Sequence, residues 1–255
     1  MTRASRAIAE YGAILAVFLF VWWYASGPYG MPQYLLPSPQ AVASTLWKML
    51  LAGDLLPHLS FTARNILVGL AVSTVFGVAF AYLVYKFPVL SETLEGPIVV
   101  LQTAPKIALA PLVIIWFGLG LTAKIVLIFS LAFFPIFAGC LAGLRAMDSR
   151  LQDLAVLLNL GALQRFVRID LPASLPGVFV GLKVGAVQAL VGAVLAEWMS
   201  GDQGLGYLMT FATATYKTPM LFGAVLLTAL LGIALHGSLN ELEARFLSWN
   251  SSDEH

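Results

Sequence analysis

The chain has 255 residues, of which 60% are hydrophobic and 11% charged, and its mean hydropathy is +0.88. A soluble domain carries roughly 25% charged residues, so this composition is typical of an integral membrane protein. The formal net charge of +1 provides no basic field for nucleic acid, and one cysteine with three scattered histidines excludes a disulfide framework and a Cys/His metal cluster.

A helix needs roughly 20 apolar residues to cross the hydrocarbon core of a bilayer, and six segments meet or approach this length. They are residues 11–26, 66–85, 96–117, 125–144, 174–199 and 219–239. The first resembles a signal peptide but ends in aromatic residues without a small-residue cleavage site, so we interpret it as a retained span. The third contains three prolines and Lys106, which predicts a kinked or two-piece helix. The sequence therefore predicts an all-α integral membrane protein of about six transmembrane helices, with residues 1–255 forming one transmembrane domain.

Residues 27–60 connect the first two spans and contain the sequence SPQAVASTLWKMLLAG. Ser38 is a suitable N-cap, and Pro39 is suited to the first helical position. We expect an amphipathic helix here, outside the membrane core.

Basic residues beside the spans indicate the orientation of the chain. With a cytoplasmic N-terminus, the cytoplasmic side receives eight and the outer side four. The eight are Arg3, Arg6, Lys86, Arg145, Arg150, Arg165, Arg168 and Arg245, against Lys48, Arg64, Lys124 and Lys217. This asymmetry predicts a multi-pass protein of the bacterial inner membrane with both termini in the cytoplasm, where the long loop 145–172 would also lie.

Residues 151–166 of this loop favour a short helix whose apolar face includes Leu151, Leu154 and Leu158. Such a helix exposes an apolar patch to the cytosol. The patch could fold back on the helix ends of the same chain, lie on the lipid surface or dock a soluble partner, and the residues alone leave these alternatives open.

The loop also contains an acidic residue, a small residue, a glycine and a later Ile-x-Leu-Pro, and this pattern resembles the EAA loop of ABC importer permease subunits. Asp153 stands where the family has glutamate, and Leu154 stands where it has its first alanine. The positions that fit the family are Ala155, Gly161, Ala162, Ile169, Leu171 and Pro172. Further segments, including APKIALAPLVIIWFGLG and AEWMSGDQGLGYLM, resemble the nitrate, sulfonate and taurine branch of that family.

The resemblance implies a type I ABC importer permease fold in which loop 145–172 is the helix that couples the permease to a cytoplasmic ATPase. Leu158 and the other leucines would dock in a groove on the ATPase. Gly161 would let the chain turn or approach the partner closely, and Pro172 would end the loop. Arg165 and Arg168 would either pair with acidic residues of the ATPase or anchor the loop at the membrane surface.

The implied partners are a second permease subunit, expected to be an identical copy, two cytoplasmic ATP-binding subunits, a periplasmic solute-binding protein and membrane lipid. This chain has no Gly-x4-Gly-Lys-[Ser/Thr] sequence. We therefore expect no enzymatic activity and no cofactor in it, with ATP and Mg bound by the ATPase.

The fifth span supplies most of the candidate solute path. Its small residues recur every four positions, at Gly177, Gly181, Gly185, Ala189 and Ala193, which favours close helix packing. Lys183 and Glu197 are separated by about 21 Å along a helix and about 40° around it, so we expect both on one face. The predicted path comprises Gln102, Lys106, Lys183, Val187, Leu190, Val194, Glu197 and Trp198. The alternatives are an interfacial role for Glu197 and a snorkelling Lys183.

These observations predict the permease subunit of an ATP-driven importer. Its solute would be a sulfonate-, taurine- or nitrate-like anion, or a pyrimidine- or flavin-type vitamin precursor. The second class is preferred, since Glu197 in the path would repel an anion. The alternative is an ion-gradient-driven transporter or channel with Glu197 as its ion site. A membrane enzyme is not favoured, because the sequence contains no visible catalytic constellation.

Overall fold

The computed structural model describes residues 3–27 and 30–247, and this part of the chain is helical without strands. The helices are α1 (Arg3–Ala25), α2 (Pro39–Ala52), α3 (Leu55–Lys86), α4 (Pro88–Thr103), α5 (Ala110–Phe117), α6 (Leu121–Arg145), α7 (Ser149–Leu157), α8 (Ala162–Arg165), α9 (Leu171–Ser200), α10 (Leu205–Ala214) and α11 (Thr218–Phe246). A 3-10 turn, Lys106–Leu109, precedes α5, and a π-helical turn, Phe166–Asp170, joins α8 to α9.

Four continuous helical segments are long and apolar enough to cross a membrane, which confirms the predicted all-α membrane class. They span residues 55–86, 121–145, 162–199 and 218–246. The predicted break is also present, because the segments Gly96–Thr103 and Lys106–Phe117 are bent by 76° relative to each other. Helix α1 contains a shorter apolar stretch, Gly12–Ala25.

The structure differs from the sequence prediction most clearly in where α3 begins and in the presence of α10. Helix α3 begins at Leu55 rather than at residue 66, because its first turns carry polar side chains that hydropathy places outside a span. Helix α10 was not predicted at all, since its ten residues are too few for a span and follow a glycine-rich loop. Both differences lie at the same end of the molecule and are connected by the contacts described below.

Helices α6 and α9 form the centre of the bundle, and their glycines allow the two backbones to touch. Gly177 and Gly181 of α9 lie against Gly139 and Gly143 of α6, and a Cβ built on Gly177 would lie 2.9 Å from the Cα of Gly143. The predicted small-residue stripe is therefore a packing surface. The surrounding core contains Ile66, Leu70, Ile128, Ala132, Ile136, Ala186, Ala189 and Ala193.

The bundle has two distinct ends. At the loop end, Ala155 of α7 packs with Met147, Ile169 and Tyr85, so loop 145–172 lies at the C-terminal end of α3. At the opposite end, which we call the α10 end, Leu205 and Leu208 of α10 pack with α2, the start of α3 and α11.

Helix α2 has the predicted ends. The Ser38 side chain accepts a hydrogen bond from the Ala41 amide at 3.2 Å, and Pro39 occupies the first turn. Gly53 ends the helix at a φ of +81°, a conformation that glycine adopts without strain.

Candidate functional site

Helix α7 presents an uncovered apolar surface at the loop end. Ala155 is buried, whereas Leu157 is 82% exposed and Leu163 is 75% exposed. Leu151 at the start of α7 is 39% exposed, and the more exposed apolar side chains of α7 and α8 form what we call the α7 patch: Leu154, Val156, Leu157, Leu158 and Leu163. One side of α7 therefore fixes it to the bundle, and its leucines are not folded back against their own chain.

The turn after α7 is made by Asn159 and not by Gly161. Asn159 has a φ of +47°, and the amide of Leu160 donates to the carbonyl of Ala155 at 3.2 Å, which closes the helix in a Schellman motif. Gly161 has an ordinary φ of −62°, and a Cβ built on it would meet no atom within 4 Å. Gly161 therefore does not make this turn and instead occupies the N-cap of α8, and its close approach to a partner stays a prediction.

The second half of the motif anchors the loop. Ile169 is buried at 8% exposure, and Leu171 and Pro172 are half-buried where α9 begins. Arg165 donates from Nε to Oδ1 of Asp170 at 3.4 Å, and Asp170 is only 1% exposed. Since Arg165 has this partner within the chain, it is not a free cation for docking.

The remaining positions of the motif are open to solvent. Asp153, Ala162 and Arg168 are all exposed. They therefore remain accessible beside the α7 patch.

The structure places Glu197 inside the protein and away from the predicted path. Its side chain is 0% exposed and contacts both α3 and α10. Its carboxylate accepts hydrogen bonds from Thr62 Oγ1 at 2.8 Å, Asn65 Nδ2 at 3.2 Å and the Gly206 amide at 3.1 Å. The structure does not support Glu197 as a lining of an open path, because solvent does not reach this carboxylate, and the interfacial alternative stays a prediction.

Three successive amides at the start of α10 bond to side chains from other helices. The Gly204 amide donates to His58 Nδ1 at 3.0 Å, the Leu205 amide donates to Thr62 Oγ1 at 2.8 Å, and the Gly206 amide donates to Glu197. The first amides of a helix lack partners within the helix. Side chains of α3 and α9 supply those partners here, and we call this arrangement, together with Asn65, the α10 cap.

Two glycines make room for this cap. Gly204 has a φ of +112°, which side chains rarely tolerate. A Cβ on Gly206 would lie 2.9 Å from Glu197 Cβ and 3.1 Å from the Trp198 amide nitrogen. The Gly-Leu-Gly sequence therefore results from the close approach of Glu197 to the backbone of α10.

Lys183 is also engaged within the chain. Its Nζ forms an ion pair with Glu243 of α11, and the two side chains are 23% and 27% exposed. Lys183 and Glu197 are therefore held by different neighbouring helices, and a path shared by both stays a prediction.

The other predicted path residues border two clefts along one face of α9. A polar cleft of about 360 Å³ is lined by Gln102, Lys106, Phe134, Val184 and Gln188. An apolar cleft of about 320 Å³ is lined by Ile107, Leu190, Val191, Val194, Leu195, Trp198 and Thr228. Val187 is 56% exposed beside them. We call Val184, Gln188, Val191, Leu195 and Trp198 the α9 cleft face, because their alternating spacing of four and three residues places them on one side of the helix.

Lys106 is the charged residue of the polar cleft. Its Nζ donates to the Gln102 carbonyl at 2.9 Å and lies 5.0 Å from the centroid of the Phe134 ring. The sequence prediction missed Gln188, although its position ten residues before Trp198 on the same helical face is a signal that could have identified it.

The chain is similar to known membrane transport proteins over most of its length. A family model described as "Binding-protein-dependent transport system inner membrane component" matches residues 73–247. An ABC transporter permease protein of Haemophilus influenzae is 35% identical, over 92% of this chain and 95% of its own length. A formylaminopyrimidine transport permease of Halalkalibacterium halodurans is 30% identical, over 98% of each chain. An aliphatic sulfonate transport permease of Escherichia coli is 31% identical, over 90% of this chain and 88% of its own.

Proposed function

The chain belongs to the family of binding-protein-dependent transport system inner membrane components and is a permease subunit of an ABC importer; we propose that the α7 patch receives ATP-driven motion and that the α9 cleft face lines the solute path. The family implies a cytoplasmic ATPase and a solute-binding protein as partners. Within residues 3–27 and 30–247 no feature favours the gradient-driven alternative, and the carboxylate of its candidate ion site, Glu197, is bonded within the α10 cap.

The exposed α7 patch is the main observation that supports the coupling proposal. Burying apolar surface is favourable, and a patch of five neighbouring apolar side chains in an aqueous loop marks a docking site. The loop beneath it is anchored by Ala155, Ile169 and the Arg165–Asp170 pair. A force applied at the patch would therefore be transmitted to the start of α9. The proposed occupant is the ATPase, which binds ATP and Mg.

The α9 cleft face supports a path between two copies of the chain. Val184 is 50% exposed, and Val191 and Trp198 are 42% and 56% exposed along the same side of α9. The polar and apolar clefts are open depressions on this side. We propose that a second identical subunit, related by a two-fold axis, closes them into one passage.

The charges of the clefts alter the prediction for the solute. Glu197 lies in the α10 cap, so it gives no reason to disfavour an anion. The polar cleft carries Lys106 with Gln102 and Gln188 and has no acidic lining residue. An ammonium group has three donors, and Lys106 uses one of them on Gln102. We therefore propose a small solute with an anionic group, such as a sulfonate, ahead of a neutral vitamin precursor.

The arrangement of basic residues supports a cytoplasmic loop end. Lys86, Arg145, Arg150, Arg168 and Arg245 lie at or near the helix termini of this end, and all five are exposed. Basic residues are retained preferentially on the cytoplasmic side. We propose that both chain termini lie there as well.

The coupling proposal is tested by Gly161→Asp in the purified assembly with its ATPase, reconstituted in nanodiscs. Since a Cβ at residue 161 meets no atom of the chain, the variant is expected to fold normally and to lose stimulation of ATP hydrolysis by the liganded binding protein. Ser44→Asp is the control, because it adds the same charge to an exposed position of α2 at the α10 end, away from the loop. Stimulation of Gly161→Asp equal to that of wild type would contradict the proposal.

The solute is identified in the same preparation. The binding protein is loaded in turn with taurine, an alkanesulfonate, nitrate, a formylaminopyrimidine and riboflavin, and hydrolysis is compared with the unloaded protein. Stimulation by the neutral compounds alone would refute the anionic assignment without affecting the coupling proposal.

A further inference from the structure

We propose that Glu197 is a positioning residue that fixes α10 and thereby presents the turn between α10 and α11 to the liganded binding protein. This inference rests on the proposed function, because it requires an importer that receives solute at the α10 end. It assigns Glu197 no contact with the solute.

The α10 cap joins three helices through a single carboxylate. Thr62 and Asn65 belong to α3, Glu197 belongs to α9, and the Gly206 amide belongs to α10. A carboxylate beside the first amides of a helix is favoured by both the hydrogen bonds and the helix dipole. Glu197 contacts both other helices, so its loss would remove the α9 bond to the Gly206 amide and two bonds to α3, which leaves the first amides of α10 held by His58 and Thr62 alone.

A second tie restrains the loop that leads into α10. Lys124 of α6 is 4% exposed, forms an ion pair with Asp202 at 3.7 Å and lies 4.5 Å from the centroid of the Phe61 ring. The loop from Gly201 to Gly204 is therefore connected to α6 as well as to α3. These contacts fix the N-terminal end of α10 relative to the centre of the bundle.

The opposite end of α10 carries an exposed turn of residues 213–217, which we call the outer turn. Tyr216 is 91% exposed and has a φ of +55°, an unusual conformation for a non-glycine residue. Lys217 lies 5.1 Å from the centroid of the Phe211 ring, and its amide donates to the Ala212 carbonyl at 2.8 Å. Thr218 Oγ1 donates to the Tyr34 carbonyl at 2.9 Å. The outer turn is thus held in one conformation with an aromatic ring and an ammonium group facing outward.

This chemistry fits the surface of a folded protein partner. Tyrosine is enriched in protein interfaces because it provides a large contact area with little loss of conformational entropy. A strained residue that surrounding contacts hold in place is a frequent feature of binding sites. The outer turn also lies at the end of the bundle opposite the α7 patch, where the ATPase would not reach it. The binding protein is therefore the partner to which we assign this surface.

The test compares Glu197→Gln with wild type in the assembled transporter in nanodiscs. ATP hydrolysis is titrated with the binding protein and solute that stimulate wild type. We expect the half-saturating concentration of binding protein to rise at least about tenfold, with the basal and maximal rates unchanged, since each 1.4 kcal/mol of lost binding is one factor of ten. Glu92→Gln is the matched control, because Glu92 is exposed at the loop end.

Two further variants separate positioning from a general structural role. Asn65 donates to Glu197, so combining Glu197→Gln with Asn65→Asp exchanges the amide and the carboxylate and should restore part of the affinity. Tyr216→Ala should reproduce the loss of affinity, and adding Glu197→Gln to it should cause little further loss. Rescue by the exchange keeps the test decisive if Glu197→Gln alone assembles poorly.

Hydrogen exchange of the permease without any partner provides a readout that is independent of transport. The Gly204, Leu205 and Gly206 amides should exchange faster in Glu197→Gln than in wild type, while the α7 amides do not change. A reduced maximal rate at unchanged half-saturation would place Glu197 in the path and overturn the inference. Wild-type amides at 204–206 that exchange as fast as those of the variant would also overturn it. Absence of stimulation in wild type would instead count against the proposed function.

Discussion

Truncation of Leu157 to alanine should weaken binding of the ATPase subunit without affecting the fold. Complete burial of a leucine side chain contributes about 1.5–3 kcal/mol. Leu157 is 82% exposed in the isolated chain, so docking could gain most of that value. Alanine retains only the Cβ, and we therefore expect a loss of about 1–2 kcal/mol, or about 5- to 30-fold in Kd.

The assay is titration of nanodisc-embedded permease with a fluorescently labelled ATPase subunit, with thermal unfolding of each permease variant measured in parallel. Leu230→Ala is the control, because Leu230 is 60% exposed on α11, away from the α7 patch. A Kd for Leu157→Ala equal to that of wild type would refute the docking argument. A lower unfolding temperature for Leu157→Ala would show that Leu157 supports the fold and is not free for a partner.

Three other substitutions test the packing, the helix cap and the polar cleft. Gly177→Ala should destabilise the fold by about 1–3 kcal/mol and lower its unfolding temperature, because the added Cβ meets the backbone of α6. Gly96→Ala is the control and should be neutral or slightly stabilising, because its Cβ meets no atom within 4 Å. Equal unfolding temperatures for these two variants would contradict the close packing of α6 and α9. Ser38→Ala should destabilise α2 by about 1 kcal/mol, which is measured as faster amide exchange in the first turn of α2. Ser44→Ala, at an exposed position of the same helix, should leave amide exchange in that turn unchanged. Lys106→Gln should reduce sulfonate transport more than transport of a neutral pyrimidine, measured by uptake in proteoliposomes, and equal reduction of both would remove the electrostatic role of Lys106.

Features that depend only on residues close to one another in the sequence were predictable from the sequence. The cap of α2 depends on the Ser38 side chain and an amide three residues later, so the local sequence is sufficient. The break in the third span follows from prolines that cannot donate a backbone hydrogen bond. The small-residue stripe repeats with the period of a helix and marks its packing face without knowledge of the partner helix.

The roles of the charged residues were not predictable in this way. Glu197 and Lys183 have the spacing of two groups on one helical face, and that spacing is correct for an isolated helix. Two of the three partners of Glu197 lie 135 and 132 residues earlier in the chain, and the partner of Lys183 lies 60 residues later. A hydropathy scale assigns the same free energy of transfer to a carboxylate that lines a cavity and to one that caps buried amides. Helix α10 was missed for a related reason, because its first turn is completed by side chains of other helices.

The sequence by itself determined that this chain crosses a membrane, where its helices break and which face of α9 packs closely, and its resemblance to a family pointed to an importer permease. These properties depend on composition, periodicity and local hydrogen bonding, all of which are present before the chain folds. Only the tertiary structure decided that Glu197 caps α10, that Lys183 pairs with α11 and that the α7 patch remains uncovered. The reason is that burial and ion pairing depend on which distant helices meet a side chain, and this is settled only when the bundle assembles.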